Sequence, residues 1–171
     1  GTEAMKLIST ESSRPRAEQA PPPARRKQVD MAYFALELSA GLGRHLEIET
    51  LIDHFSRRVG EVLPHDSLSF RHELAGDWRV IAHGSGGRHA CSYELKVEDM
   101  PLGTLRITRR QRFEESELAR LEQLVGVLVY PLRNALLYRR AQYDAATDPL
   151  TGLSNRGVFD DALPREISRA L

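Results

Sequence analysis

FEESELARLEQLVGVLVYPLRNALLYRRAQYDAAT, residues 113–147, runs directly into DPLTGLSNR, residues 148–156. Within the first stretch Leu118, Leu121, Val125, Leu128, Leu132 and Ala135 recur at alternating spacings of three and four. That is the stripe of an amphipathic helix, and its mean of about 3.5 also suits a two-stranded coiled coil. If helical throughout, the run is roughly 50 Å long at about 1.5 Å per residue. A helix of that reach exceeds what one small core needs, so it reads as a rod joining the part of the chain before it to the part after it. Pro131 removes one helical hydrogen bond and is expected to kink the rod. It would make a hinge between a domain part, ending near Tyr130, and an exit part. The stripe weakens at Arg139 and Arg140, where a helical seam is expected to loosen.

The 171 residues suffice for one ordinary domain with appendages. Lys and Arg total 24 and Asp and Glu total 24, so no net field draws the chain to nucleic acid or an anionic membrane. The longest apolar run, Leu124 to Leu132, is far short of the ~20 residues of a membrane-spanning helix. Cys91 is the single cysteine, which excludes an internal disulfide and fits a reducing compartment. The expectation is a cytoplasmic protein, or the cytoplasmic part of a larger one, with no membrane segment in this chain.

Residues 1–27 read as a disordered, locally basic leader: Pro15 and Pro21 to Pro23 forbid a continuous helix, and apolar residues are sparse. From Gln28 the pattern turns helical, with Met31, Phe34, Ala35, Leu38 and Leu42 on one face and Gly41 and Gly43 closing the segment. Leu51, Ile52, Phe55, Val59 and Leu63 mark a second helix, with Glu47 and Glu49 near its positive end and Pro64 terminating it. The period then switches to two. Leu68, Phe70, His72 and Leu74 alternate with polar residues as a half-buried strand. Ala75-Gly76-Asp77 is a turn, and Trp78, Val80 and Ala82 begin a second strand. Cys91, Tyr93, Leu95 and Val97 mark a third, and Leu102 to Arg109 a fourth. The order helix, helix, four-strand meander, helix gives an α+β fold: a small antiparallel sheet packed against flanking helices, with a long C-terminal helix.

This order and two local stretches resemble the GAF family of sensory domains. SYELKVEDMPLGTLRI is similar to the GAF hairpin whose turn leads into an L-G-x-L strand, here Leu102-Gly103-Thr104-Leu105. FEESELARLEQLVGVLVYPLRNALLY is similar to the closing GAF helix, with its terminal x-N-A-x-L at Asn134-Ala135-Leu136-Leu137. The resemblance covers residues 28–140 in a reduced form. GAF domains usually carry extra elements between the second strand and the final hairpin, and here only His83 to Ala90 fills that gap. Residues 141–147 end the linker helix.

Residues 148–171 resemble the start of a GGDEF domain. Asp148, Leu150, Thr151, Gly152, Leu153, Asn155 and Arg156 match its opening motif D-x-L-T-G-L-x-N-R at every fixed position, with Gly157 in place of a frequent second Arg. Pro149 biases Asp148 out of the helical region, and Asn155 suits an N-cap, so the motif reads as a structural joint. The resemblance implies a diguanylate cyclase, which condenses two GTP molecules into cyclic di-GMP with Mg across a dimer. The family's catalytic and metal-binding residues lie downstream of this motif, so no catalytic, cofactor-binding or metal-binding residue is assigned in this chain. Mg and GTP belong to the expected cyclase domain alone.

Other constellations have plainer readings. His83, His89 and Cys91 lack the spacing of a zinc site, and Cys91 reads as a small buried hydrophobe. Gly84 to Arg88 lacks the Lys-Ser/Thr of a phosphate loop. Arg106, Arg109, Arg110 and Arg112 precede Glu114, Glu115 and Glu117, which makes a self-compensating face. The leading expectation is a regulatory module that dimerises through its flanking helices, using Leu118, Leu121, Val125, Leu128 and Leu132, and positions a GGDEF domain downstream in cis. The rivals are a small-molecule GAF sensor with Phe70, His72, Trp78 and Tyr93 facing the ligand, and an adaptor whose degenerate GGDEF domain only binds cyclic di-GMP.

Overall fold

The alternation around Phe70 builds an inner strand of the sheet. The computed structural model describes residues 4–12 and 25–147. Strand β1 (Met5–Ser12) precedes helices α1 (Arg25–Leu42) and α2 (Ile48–Val62). Strands β2 (Ser67–Leu74), β3 (Asp77–Gly84), β4 (His89–Val97) and β5 (Met100–Arg109) come next, and helix α3 (Glu115–Thr147) closes the order. The five strands form one sheet in the order β1-β4-β5-β2-β3, with every neighbouring pair antiparallel. The α+β architecture, the two hairpins and the long last helix agree with the sequence expectation, but the four strands are not a consecutive meander: β5 pairs with β2, so β3 lies at one edge and β4 beside β1.

Two further expectations are corrected. Met5–Ser12 is not part of a structureless leader: it pairs with β4 from Met5 opposite Leu95 to Ser12 opposite His89. The register shifts between Leu7 and Ser9, and such a bulge puts Leu7 and Ile8 out of alternation, which hides the strand from a period-two reading. The second correction concerns the phase of β3. Ala75 and Gly76 have φ of 55° and 86° and form a two-residue turn, so Asp77 already pairs with Leu74. Reading Asp77 as a third turn residue shifts the register by one and turns every side chain of the strand over. Arg79 and Ile81 therefore share a face with His72 and Phe70, while Trp78 and Val80 lie on the other.

α2 and α3 cover the face that carries Phe70, Tyr93, Leu95, Leu105 and Ile107, and α1 packs against those two helices. α2 contributes Ile48, Leu51, Ile52, Phe55 and Val59, each fully buried and each contributing about 1.5–3 kcal/mol by leaving water. Gly103 of β5 has φ of 147°, and a Cβ there would stand 2.3 Å from the Arg71 carbonyl oxygen and 2.7 Å from the Phe70 ring. The glycine of the L-G-x-L strand is thus required by the close approach of β2. Among the described residues no helix is long and apolar enough to cross a membrane.

Candidate functional site

α3 is the feature on which a function can be built, and it is fixed at two points. The first is its base. Arg109, the last residue of β5, is buried, and its guanidinium donates to both carboxylate oxygens of Glu117 and to the carbonyls of Gln111 and Arg112. It also lies 4.5 Å over the Phe113 ring. The Glu114 backbone N–H donates to the same Glu117 carboxylate at 2.9 Å, which satisfies a donor at the helix start. Burial pushes the Glu117 carboxyl up, but Arg109 and the Glu114 amide outweigh it and hold the group below the usual 4.5. The strand-to-helix corner is therefore tied by charge-assisted bonds.

The second point lies near the far end. Arg139 donates to Glu49 at 2.7 and 3.2 Å and to Glu47 at 3.0 Å, joining α3 to the first turn of α2. Burial of α3 continues past Pro131 through Leu132, Ala135, Leu136 and Arg139, and the helix is continuous there. The anchored part thus ends at Arg139 rather than at Tyr130, and only residues 140–147 lie beyond the last buried position of α3. Arg139 falls on the next step of the apolar stripe, at 128, 132, 135 and 139. A charge on a core stripe is the sequence signal for a buried ion pair, although in the sequence alone it looks like the end of the stripe.

Beside this clasp sits His72, stacked on Phe70 at a centroid distance of 5.5 Å. Burial first, and then the Arg139 charge, lower its pKa to about 4. Arg79, its partner across the β2–β3 pair, is also buried. Sequence reasoning misses Arg79 because Trp78-Arg79-Val80-Ile81 offers apolar residues in both phases.

The residues expected to face a ligand do not converge. Phe70, His72 and Tyr93 are buried under the helices, whereas Trp78 is 55% exposed on the opposite face, with Arg71 at 4.2 Å over its ring. The stripe expected to form a dimer is consumed within the chain: Leu121, Val125, Leu128 and Leu132 are core residues, and Leu118 packs against that core. A different set is open to solvent. On α3 it is Tyr130, Asn134, Leu137 and Ala141, again at spacings of four, three and four. On α1, which packs against α3, it is Tyr33, Leu36 and Ala40, with Leu36 70% exposed.

Cys91 is fully buried and its thiol is pushed up to about 12 by burial, which removes it from thiolate chemistry near neutral pH. His83 lies on β3, three strands from His89 and Cys91 on β4. Among the described residues no group of three or more His, Cys, Asp and Glu side chains is arranged to hold a metal ion. The arginines at the end of β5 are compensated, by Glu11 for Arg106, Asp66 for Arg110 and Glu117 for Arg109. Asp148, Leu150, Thr151, Gly152, Leu153, Asn155 and Arg156 lie outside the described residues. Compared with family models and with curated proteins, the chain matches none.

Proposed function

We propose that this chain is the regulatory, dimerising module of a diguanylate cyclase, a reduced GAF-like domain that positions a GGDEF domain downstream in the same polypeptide. The observation that carries the reading is the open stripe Tyr130, Asn134, Leu137 and Ala141 on a helix fixed at both Arg109–Glu117 and Arg139–Glu49 and leading into the D-x-L-T-G-L-x-N-R motif. An exposed helical stripe at heptad-like spacing that carries Tyr130, Leu137 and Ala141 seeks a partner helix, and a second copy supplies one with two-fold symmetry. α1, which packs against α3, also exposes Tyr33 and Leu36.

The mechanism is geometric. The sheet and the two clasps hold α3 rigid to Arg139, so a change in how two copies pack changes the spacing and rotation of their exits at Asp148. Two cyclase domains would then meet, or fail to meet, over GTP and Mg. The module itself performs no step of that chemistry. Light scattering across a concentration series tests the reading: a dimer in the micromolar range is expected, and a monomer at the highest concentrations removes its main support. In the same preparation, incubation with GTP and Mg should yield no cyclic di-GMP, and turnover would overturn the assignment of this chain as purely regulatory.

A further inference from the structure

Arg79 poses a physical problem that the proposed function does not solve. Its side chain is 3% exposed, yet among the described residues its one ionic neighbour is the carboxylate of Asp77 at 3.9 Å, beyond hydrogen-bond reach. That carboxylate is itself 75% exposed. Among the described residues the Arg79 Nε is buried without a hydrogen-bond partner, and Nδ1 of His72, directly across the strand pair, has none in good geometry, although the Glu73 backbone acts on its ring. A guanidinium taken out of water is costly unless it is paired and hydrogen-bonded. An under-paired guanidinium and a buried imidazole are therefore cross-strand partners on the helix-covered face of the sheet.

We propose that this place on the sheet is a binding site for a small oxyanion, a carboxylate or a phosphate group, held by the Arg79 guanidinium and His72 Nδ1–H. The guanidinium fork matches two oxygens of either group, and a neutral imidazole donates one further bond. The exposed side chain of Asp77 is free to turn to water once a better counter-charge is present. His72 is also within Coulomb reach of Arg139 and Glu49, so an anion bound beside it acts on the pair that fixes α3. That consequence rests on the proposed role of α3, whereas the binding does not.

The test is thermal unfolding of the full chain at constant ionic strength with phosphate, acetate or chloride. Phosphate and sulfate stabilise many proteins by exclusion from their surface, so the deciding comparison is with Arg79→Met. Wild type should gain roughly 5 °C once the binding oxyanion stands at about ten times its Kd. Arg79→Met should lose that gain and melt higher than wild type without anion, because an uncompensated buried charge is gone. Gain with phosphate alone assigns a phosphate group, and gain with acetate a carboxylate. No oxyanion-specific gain in wild type, or an equal gain in Arg79→Met, overturns the site. If Arg79→Met fails to fold, phosphorus NMR of phosphate titrated with wild type and Arg79→Lys serves instead. Line broadening with wild type that weakens at least several-fold with Arg79→Lys supports the site, and equal or absent broadening overturns it.

Discussion

His72 sits under the helices with its ring on Phe70 and with charges approaching from three elements: Arg79 on β3, Glu49 on α2 and Arg139 on α3. Burial and the two arginines outweigh Glu49 and the Glu73 backbone hydrogen bond, so the folded state binds a proton near pH 4 while an unfolded histidine does so near 6.5. Between those values the unfolded chain holds the extra proton, and stability therefore rises with pH through that window. Acidification from neutral to about pH 4 should cost on the order of 2–3 kcal/mol from this residue, given about 1.4 kcal/mol per pKa unit. Urea denaturation at several pH values checks this: His72→Phe should flatten the curve between pH 4 and 6.5, and an unchanged slope would show that the proton goes elsewhere. Glu117 acts in a lower window, because its depressed carboxyl stabilises the fold above 4.5 and loses that contribution as pH falls through its folded value. Buried charge at Arg79, Arg109 and Arg139 thus makes the helix-covered face acid-sensitive in ways that an apolar core would not be.

Elements differ in how plainly they announce themselves. α2 is directly legible, since Leu51, Ile52, Phe55 and Val59 lie on one helical face and all are buried. β2 is too, because its alternation persists over the whole strand. β1 is not: its bulge breaks the period, and Leu7 and Ile8 both remain partly in solvent. β3 is legible as a strand but with its faces exchanged, because one turn residue decides the phase of eight. The clasp at Arg139 is visible only as an interruption in a stripe, since its acidic partners are about ninety residues away in sequence. β1 matters more than its faint signal suggests. It makes β4 an internal strand, which explains why His89 to Tyr93 are buried on both faces, and a Cβ on Gly126 of α3 would lie 3.6 Å from the Met5 methyl. Removing residues 1–12 would leave β4 as an unprotected edge, the arrangement that invites strand-to-strand association. The shortened chain should lose roughly 2–4 kcal/mol in chemical denaturation and aggregate faster. Equal denaturation midpoints for the two chains would mean that β1 contributes no stability.

For the molecule as a whole, α3 has two stripes with different duties. Leu121, Val125, Leu128 and Leu132 hold the helix on its own sheet and neighbouring helices, and Tyr130, Asn134, Leu137 and Ala141 are left to whatever lies outside. The residues of the two stripes alternate along one helix, so neighbours in sequence should respond in opposite ways to the same substitution. Leu128→Glu would place a carboxylate in a fully buried position without a partner, which costs more than most single domains can tolerate. It should abolish the cooperative unfolding transition. Tyr130→Glu and Leu137→Glu change residues already half in water, so the monomer should keep its melting temperature within about 2 °C. In the proposed dimer, however, those two side chains lie at the centre of the seam, and a like-charged pair would face itself across the two-fold axis. Loss of each anchor at about 2 kcal/mol corresponds to roughly a 30-fold weaker dimer. Sedimentation over a concentration series, read beside circular dichroism, separates the outcomes. Variants that stay folded and dissociate place the seam on the outer stripe. Variants that stay folded with unchanged association move it elsewhere, and with it the route by which this domain could turn one exit helix against another.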